Sequence, residues 1–162
     1  SQVLVGSSMG GWIMLLAALQ RPQRVAALLG IAAAPDFTED LMAGQLTAGQ
    51  QAALDNDGMF LQPSEYGDEM TPITKALLED GKKHLVLRRK IPLDCPVRLI
   101  HGMGDPDVPW QTALRLSVML ESADVEVQLV KGGEHRLSEP QDLDRLSRTL
   151  EALLEELEEN GG

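Results

Sequence analysis

A serine flanked by glycines, placed between an apolar strand and an apolar helix, constrains the fold of this chain more than any other feature. Ser8 is the central residue of the run GSSMG at residues 6–10, which fits the pattern G-x-S-x-G. The apolar run VLV at residues 3–5 precedes it, and a long apolar segment follows it. The pattern is typical of a sharp strand–turn–helix connection that presents a serine nucleophile, since glycine tolerates a strained turn.

Strand-type and helix-type segments alternate along the chain. The pattern predicts strands at residues 3–5, 25–33, 97–100 and 125–130, and helices at residues 10–20, at residues 111–121 and from Pro140 onward. Leucines of the last helix recur at three- and four-residue spacing and predict one buried stripe (Leu143, Leu146, Leu150, Leu153 and Leu157). The acidic residues near its end are expected to be solvated. This alternation predicts an α/β fold with a parallel sheet and crossover helices.

Residues 35–91 interrupt the alternation and are too long for an ordinary connection between a strand and a helix. Their composition is helix-prone in pieces, at residues 39–42, 48–54 and 73–87. We therefore expect three parts, namely residues 1–34 with the serine turn, residues 35–91 as a helical cap insertion, and residues 92–162 as the remainder of the core. A surface excursion without function is the alternative for the insertion.

Two later loops carry groups that could activate the serine. The loop at residues 101–109 (HGMGDPDVP) follows the third strand of the predicted sheet and holds Asp105 and Asp107. The loop at residues 132–135 (GGEH) follows the fourth strand and ends in His135. Such loops lie at the carboxyl ends of parallel strands, where a serine turn would also lie. The chain order Ser, Asp, His is that described for α/β-hydrolases.

In the predicted site, His135 removes the proton of Ser8, and Asp105 fixes the tautomer of the imidazole and stabilises the imidazolium. The backbone N–H of Met9, at the start of the helix, faces the developing oxyanion. His101 is expected to be a packed or loop-bracing residue. Asp107 is the alternative acid; otherwise it is a carboxylate of the loop.

The chain resembles the C-terminal two-thirds of an α/β-hydrolase. The run VLVGSSMGGW resembles the nucleophile elbow of that superfamily, VRLIHGMGDPDVPW its acid loop and GGEHRL its histidine loop. The runs SSMGGW, IAAAPDFTEDL and CPVRLIHGMGDPDVPW are similar to the mycophenolic-acid acyl-glucuronide esterase and mitochondrial depalmitoylase group and its bacterial relatives. The resemblance implies a serine hydrolase of carboxylic esters or thioesters that works through an acyl-enzyme without metal or organic cofactor. It also favours Asp105 over Asp107.

Bulk properties exclude several other classes. A net charge of −11 argues against nucleic-acid binding, and no apolar run is long enough to span a membrane. Three scattered histidines and one cysteine, Cys95, give no metal-ligand spacing, and no phosphate-binding or dinucleotide motif occurs. The lone cysteine favours a reducing compartment, and we expect the cytoplasm. The expected partner is a small acyl ester or thioester, and the oligomeric state is open.

Three other functions stay open, namely a peptidase of the same fold, a ligand receptor that does not turn over, and an assembly module that pairs through a bare strand edge. The resemblance also implies that the first strands of the family, and the loop with its second oxyanion donor, precede residue 1. We therefore expect a fragment, with any targeting segment in the preceding part. Loss of one oxyanion donor costs about 10²–10³ in turnover, so the isolated chain is expected to have little activity.

Overall fold

A parallel sheet whose strands follow chain order organises most of the chain. The computed structural model describes residues 1–63 and 70–160. The strands are β1 (Gln2–Ser7), β2 (Val25–Ile31), β3 (Met59–Pro63), β4 (Met70–Thr74), β5 (Val97–Gly102) and β6 (Val125–Val130). The helices are α1 (Met9–Gln20), α2 (Ala48–Asp57), α3 (Lys75–Gly81), α4 (Gln111–Met119) and α5 (Pro140–Asn160). The chain divides into two units, the first made of Ser1–Pro35 with Val86–Gly162 and the second of Asp36–Leu85.

The sheet of the first unit has the order β1-β2-β5-β6, and every neighbouring pair is parallel. These are the four strands predicted from the sequence, and α1, α4 and α5 correspond to the three predicted helices. β5 has a strand on either side, and every one of its residues is buried. β1 lies at the edge of the sheet, and no described strand pairs with its outer side.

Helix α5 packs against one face of the sheet through part of its leucine stripe. Leu29 and Ile100 from the sheet form a core with Leu137, and Leu146 and Leu150 of α5 pack against it. One end of the stripe was predicted wrongly. Leu143 is 50% exposed, and the buried residue of this first turn is instead its neighbour Asp142, which is 8% exposed.

A buried arginine ties three elements together. Arg98 of β5 has a side chain only 6% exposed, and its guanidinium lies 2.7 Å from Asp124, 3.5 Å from Glu126 and 2.6 Å from Glu156. Glu156 was expected to be a solvated residue of the helix end, but it binds the arginine. Burial alone would lower the pKa of Arg98, yet the neighbouring carboxylates outweigh it and raise that pKa. The cluster therefore connects β5, β6 and α5.

The second unit has a small core of its own. Leu54 of α2, Phe60 of β3, Ile73 of β4 and Leu78 of α3 are buried together. A π-helical turn (Thr38–Met42) and a 3-10 turn (Ala43–Gln45) precede α2. The Thr47 side chain accepts a hydrogen bond from Gln50 N and so caps α2.

The composition of the insertion predicted helix at residues 73–87, and this was wrong at both ends. β3 and β4 form an antiparallel pair in which Phe60 faces Ile73. That pairing buries both side chains, so the strand continues to Thr74, where the threonine side chain caps the short helix α3. Residues 64–69 of the insertion lie outside the described residues. The role of residues 35–91 as a cap stays a prediction.

Among residues 1–63 and 70–160, no helix combines the length and the apolar character that crossing a membrane would require.

We expect Arg98→Ala to lower the free energy of unfolding by about 3 kcal/mol, because it removes a buried side chain whose guanidinium joins three carboxylates from different parts of the chain. Chemical denaturation monitored by circular dichroism measures the change. Arg148→Ala is the matched control, since Arg148 also pairs with a carboxylate but is 73% exposed; its cost should stay under about 1 kcal/mol. Equal costs for the two variants would contradict the structural role of Arg98.

Candidate active site

The turn between β1 and α1 holds Ser8 in a backbone conformation that few residues adopt. Its φ is 52° and its ψ is −121°. Ser8 N donates to Ile31 O at 2.9 Å, and Ser8 O accepts from Gly11 N at 2.9 Å and from Ala34 N at 3.0 Å. Such a conformation costs about 1–3 kcal/mol and persists only where the surroundings impose it. The three hydrogen bonds impose it here.

The turn is tight because α1 begins directly against the end of β1. A Cβ atom on Gly6 would lie 2.4 Å from Gly10 O, which is backbone and has little freedom to move. Glycine is therefore required at residue 6, as the G-x-S-x-G pattern predicts. The consequence is that Ser8 stands at the N-terminus of α1 with Met9 as the first helical residue.

The loops after β5 and β6 touch through their glycines. A Cβ atom on Gly102 would lie 2.3 Å from Gly133 O. Met103 N donates to Val130 O at 2.8 Å, and Gly104 N donates to Gly133 O at 2.9 Å. These contacts hold the loop that carries Asp105 beside the loop that carries His135.

The structure brings Ser8, Asp105 and His135 into contact although the first and last are 127 residues apart. His135 Nε2 lies 2.9 Å from Ser8 Oγ, and His135 Nδ1 lies 2.7 Å from Asp105 Oδ2. The carboxylate of Asp105 can only accept, so Nδ1 carries the proton in the neutral imidazole and Nε2 is free to accept from the serine hydroxyl. The arrangement can therefore move a proton from Ser8 to His135.

The carboxylate of Asp105 is fully buried and receives several donors. Its Oδ1 accepts from Asp107 N and from Val108 N, both at 2.8 Å. Its Oδ2 lies 2.7 Å from His135 Nδ1 and 3.2 Å from His101 Nε2. Burial raises the pKa of Asp105, but the two histidines and the two backbone N–H groups outweigh it and hold that pKa well below its ordinary value. The group is therefore an anion at neutral pH.

The other two candidates, Met9 and Asp107, are more exposed than the three residues in contact. Met9 is 45% exposed, and its N–H belongs to the first helical turn, where no carbonyl of the helix is available to accept from it. Asp107 is exposed, and its backbone N–H binds Asp105. The acid in contact with His135 is thus Asp105, as the resemblance implied.

One set of groups in the described part of the chain could hold a metal ion. Asp105, Asp107 and His135 each offer a ligand atom, and these atoms lie within 4.8 Å of one another. Both ring nitrogens of His135 already make hydrogen bonds, to Asp105 and to Ser8. A cation would have to replace one of them, so the prediction of a site without metal stays a prediction.

Two features of the site were missed from the sequence. One is the contact between Gly102 and Gly133, for which the only signal was the pair of glycines in each of the two loops. The other is the approach of His101 to Asp105. His101 is 1% exposed and is the packed, loop-bracing residue expected, but nothing in the sequence indicated that it reaches the acid.

Comparison with known proteins shows which family the chain resembles. The profile of the prolyl oligopeptidase family matches residues 2–159. The mitochondrial palmitoyl-protein thioesterase ABHD10 of Pongo abelii is 40% identical over 157 residues, which cover 96% of this chain and 51% of the thioesterase. The chain therefore spans about half the length of the curated relatives it matches.

Two solved structures are similar to the chain over nearly its whole length. A protein from Agrobacterium vitis S4 is 44% identical, with a TM-score of 0.88 over 93% of this chain and 60% of that one. Mouse alpha/beta hydrolase domain-containing protein 10 is 41% identical, with a TM-score of 0.84 over 96% of this chain and 62% of that one. The predicted α/β-hydrolase fold and the resemblance to the depalmitoylase group are confirmed.

We expect Gly102→Ala to lower the free energy of unfolding by about 1–3 kcal/mol, because the new methyl group forces the two loops apart. Gly132→Ala is the matched control, since a Cβ atom there meets nothing within 4 Å; its effect should stay within about 0.5 kcal/mol. Denaturant unfolding of both variants measures the difference. Equal stability of the two variants would show that the loops do not need their close approach.

The stability of the protein should depend on pH through Asp105. Because the folded-state pKa of Asp105 lies below its unfolded value of about 4, the unfolded chain binds more protons in acid, and the stabilisation is lost as pH falls below that value. Asp105→Asn removes this contribution. The difference in unfolding free energy between parent and variant is therefore largest above about pH 5 and becomes smaller as the pH falls further.

Urea titrations at a series of pH values measure that difference. Asp107→Asn controls for the loss of one negative charge from the same loop. A difference between parent and Asp105→Asn that stays constant with pH would contradict the lowered pKa.

Proposed function

The chain belongs to the prolyl oligopeptidase family, and we propose that it forms part of a serine hydrolase that cleaves carboxylic esters or thioesters. The observation that supports this best is the position of His135, with one ring nitrogen on Ser8 and the other on Asp105. Ser8, Asp105 and His135 are the proposed catalytic residues. Relatives named as thioesterases point to the same chemistry.

The first half of the proposed reaction acylates Ser8. The hydroxyl gives its proton to His135 Nε2 while Oγ attacks the carbonyl carbon of the substrate, and the carbonyl oxygen becomes an oxyanion. The tetrahedral intermediate then collapses. The bond to the leaving group breaks, His135 returns the proton to the leaving alcohol or thiol, and an acyl-serine ester remains.

The second half releases the acid. Water gives a proton to His135 Nε2 and attacks the acyl-serine carbonyl, and the new intermediate expels Ser8 Oγ, which takes the proton back. Asp105 keeps the imidazole in the required tautomer in both halves and stabilises the imidazolium each time it forms. The reaction needs no metal or organic cofactor.

The oxyanion needs hydrogen-bond donors aimed at it in advance. We assign the N–H of Met9 this role, since it directly follows the nucleophile and starts a helix whose dipole places positive potential at that end.

The substrate class rests on the named relatives. Palmitoyl-protein thioesterase names an enzyme that removes an acyl chain from a protein thiol, so a long-chain thioester is the proposed substrate here. The name of the matching family favours peptide bonds as the second candidate. A thiol leaves more readily than an amine. Cleavage of a thioester therefore depends less than cleavage of a peptide on proton donation from His135 to the leaving group.

The compartment is a further part of the proposal. A lone cysteine fits any reducing compartment, and the cytoplasm stays the prediction for this protein. The thioesterases among its relatives carry the word mitochondrial in their names. Cell fractionation of the tagged protein distinguishes the two.

We expect the full protein that carries these residues to react with a fluorophosphonate at Ser8, and Ser8→Ala to lose both the label and about 10⁶-fold in kcat. Ser7→Ala is the matched control, because Ser7 is the neighbouring and more exposed serine and ends β1. It should keep the label. Mass spectrometry of the labelled peptide locates the adduct.

A parallel assay separates the two candidate substrates. The folded protein is offered a p-nitrophenyl acyl ester, an S-palmitoylated peptide and a peptide anilide at equal concentration. Preference for the S-acyl peptide supports the thioesterase proposal, and cleavage of the anilide alone supports a peptidase. A folded protein that neither labels nor turns over any of the three contradicts the enzyme proposal.

A further inference from the structure

His101, the second histidine beside Asp105, has no role in the reaction as described, yet it is more deeply buried than His135. His101 is the fifth residue of β5, and its side chain is 1% exposed, against 12% for His135. A buried imidazole keeps its place only if its polar atoms have partners. Its Nε2 has two neighbours, Val108 O at 3.0 Å and Asp105 Oδ2 at 3.2 Å.

The two neighbours determine where the proton of His101 lies. A backbone carbonyl oxygen accepts hydrogen bonds and cannot donate them, so the contact with Val108 O requires a proton on Nε2. The carboxylate oxygen of Asp105 is also only an acceptor. The N–H of His101 therefore points between Val108 O and Asp105 Oδ2 and is shared by both.

The N–H of His101 also binds Val108, a loop residue that itself binds the carboxylate of Asp105. Val108 N donates to Asp105 Oδ1 at 2.8 Å, while Val108 O accepts from His101. One oxygen of the carboxylate thus faces two backbone N–H groups of its own loop, and the other faces His101 and His135. The carboxylate cannot turn about its Cβ–Cγ bond without breaking contacts on both sides.

We propose that His101 is a positioning residue that holds Asp105 Oδ2 towards His135. The inference rests on the proposed function, in which His135 is the general base. His101 touches neither Ser8 nor a substrate, so its effect reaches the reaction only through Asp105. With the N–H of His101 present, part of the negative charge on Oδ2 is compensated before His135 becomes an imidazolium.

Removal of this donor should have two effects. The carboxylate gains freedom to turn, so the imidazole is held less well; a misplacement of about 1 Å in an active site can cost about 10²-fold in rate. The charge on Oδ2 is also less compensated and attracts the imidazolium more strongly. The titration midpoint of His135, and with it the acid limb of kcat/KM, should move to higher pH.

Two substitutions of His101 separate positioning from packing. His101→Gln keeps an amide N–H near the place of Nε2 and cannot titrate, whereas His101→Leu fills the space without a donor. Leu99→Ala is the control for general damage to β5, since Leu99 is 2% exposed and lies two residues away on the same face of the strand. The other titratable groups of the two loops (Asp105, Asp107, Glu134, His135 and Arg136) are unchanged in all three variants.

The kinetic expectation is a fall in kcat of about 10–10²-fold for His101→Leu, with KM nearly unchanged and the acid limb at higher pH. His101→Gln should recover most of kcat and the parental pH profile, and Leu99→Ala should keep the parental profile. Equal pH profiles for His101→Leu and Leu99→Ala would overturn the proposal.

NMR gives a readout that needs no substrate. In the ¹⁵N-labelled protein, His101 is expected to carry its proton on Nε2, and the titration midpoint of His135 is expected to move in His101→Leu but not in His101→Gln. A His101 without a proton on Nε2 overturns the inference even if no variant folds. If the protein turns over no ester or thioester while the midpoint still moves as expected, the proposed function fails and the positioning of His135 by His101 stands.

Discussion

The site depends on the common direction of the strands in one sheet. Because β1, β5 and β6 are parallel, their carboxyl ends lie at the same edge, and the residues that follow them meet there. Ser8 follows β1, Asp105 follows β5 and His135 follows β6. The register places Gly102 opposite Val130, so the last two loops leave the sheet side by side. A sheet with one strand reversed would separate these groups by a strand length.

The negative charge of Asp105 is stabilised by backbone N–H groups and by two histidine side chains. The buried carboxylate of Asp105 would be costly without partners. Its own loop supplies two N–H donors, and β5 supplies His101, so three of its four donors come from residues 101–108. Most of the contacts that hold the acid are therefore independent of His135 and its loop. Such preorganisation lowers the rearrangement needed when charge develops on the imidazole.

The core strands and the candidate site were predictable because their signals are local. Short segments rich in β-branched and apolar residues, bounded by loops, marked all four strands of the parallel sheet, and G-x-S-x-G with its flanks marked Ser8. Asp105 and His135 could be chosen because each follows a predicted strand. The choice of Asp105 over Asp107 needed the family resemblance, since both carboxylates belong to one loop.

The features that were missed depend on contacts between distant residues. Residues 73–74 open a segment whose composition as a whole predicted a helix, yet they pair with β3 as a strand. Glu156 looked like part of a solvated tail, but it reaches Arg98, which lies 58 residues earlier. The contact between Gly102 and Gly133 requires the register of β5 and β6, which no short run of residues encodes.

The backbone conformation of Ser8 has a steric cost that lowers the thermodynamic stability of the fold. A glycine at this position would adopt φ 52° and ψ −121° with far less steric conflict and would leave the surrounding hydrogen bonds in place. Selection for a robust fold alone would therefore favour the loss of the hydroxyl. In the proposed function, the hydroxyl that serine supplies is what offsets this steric cost.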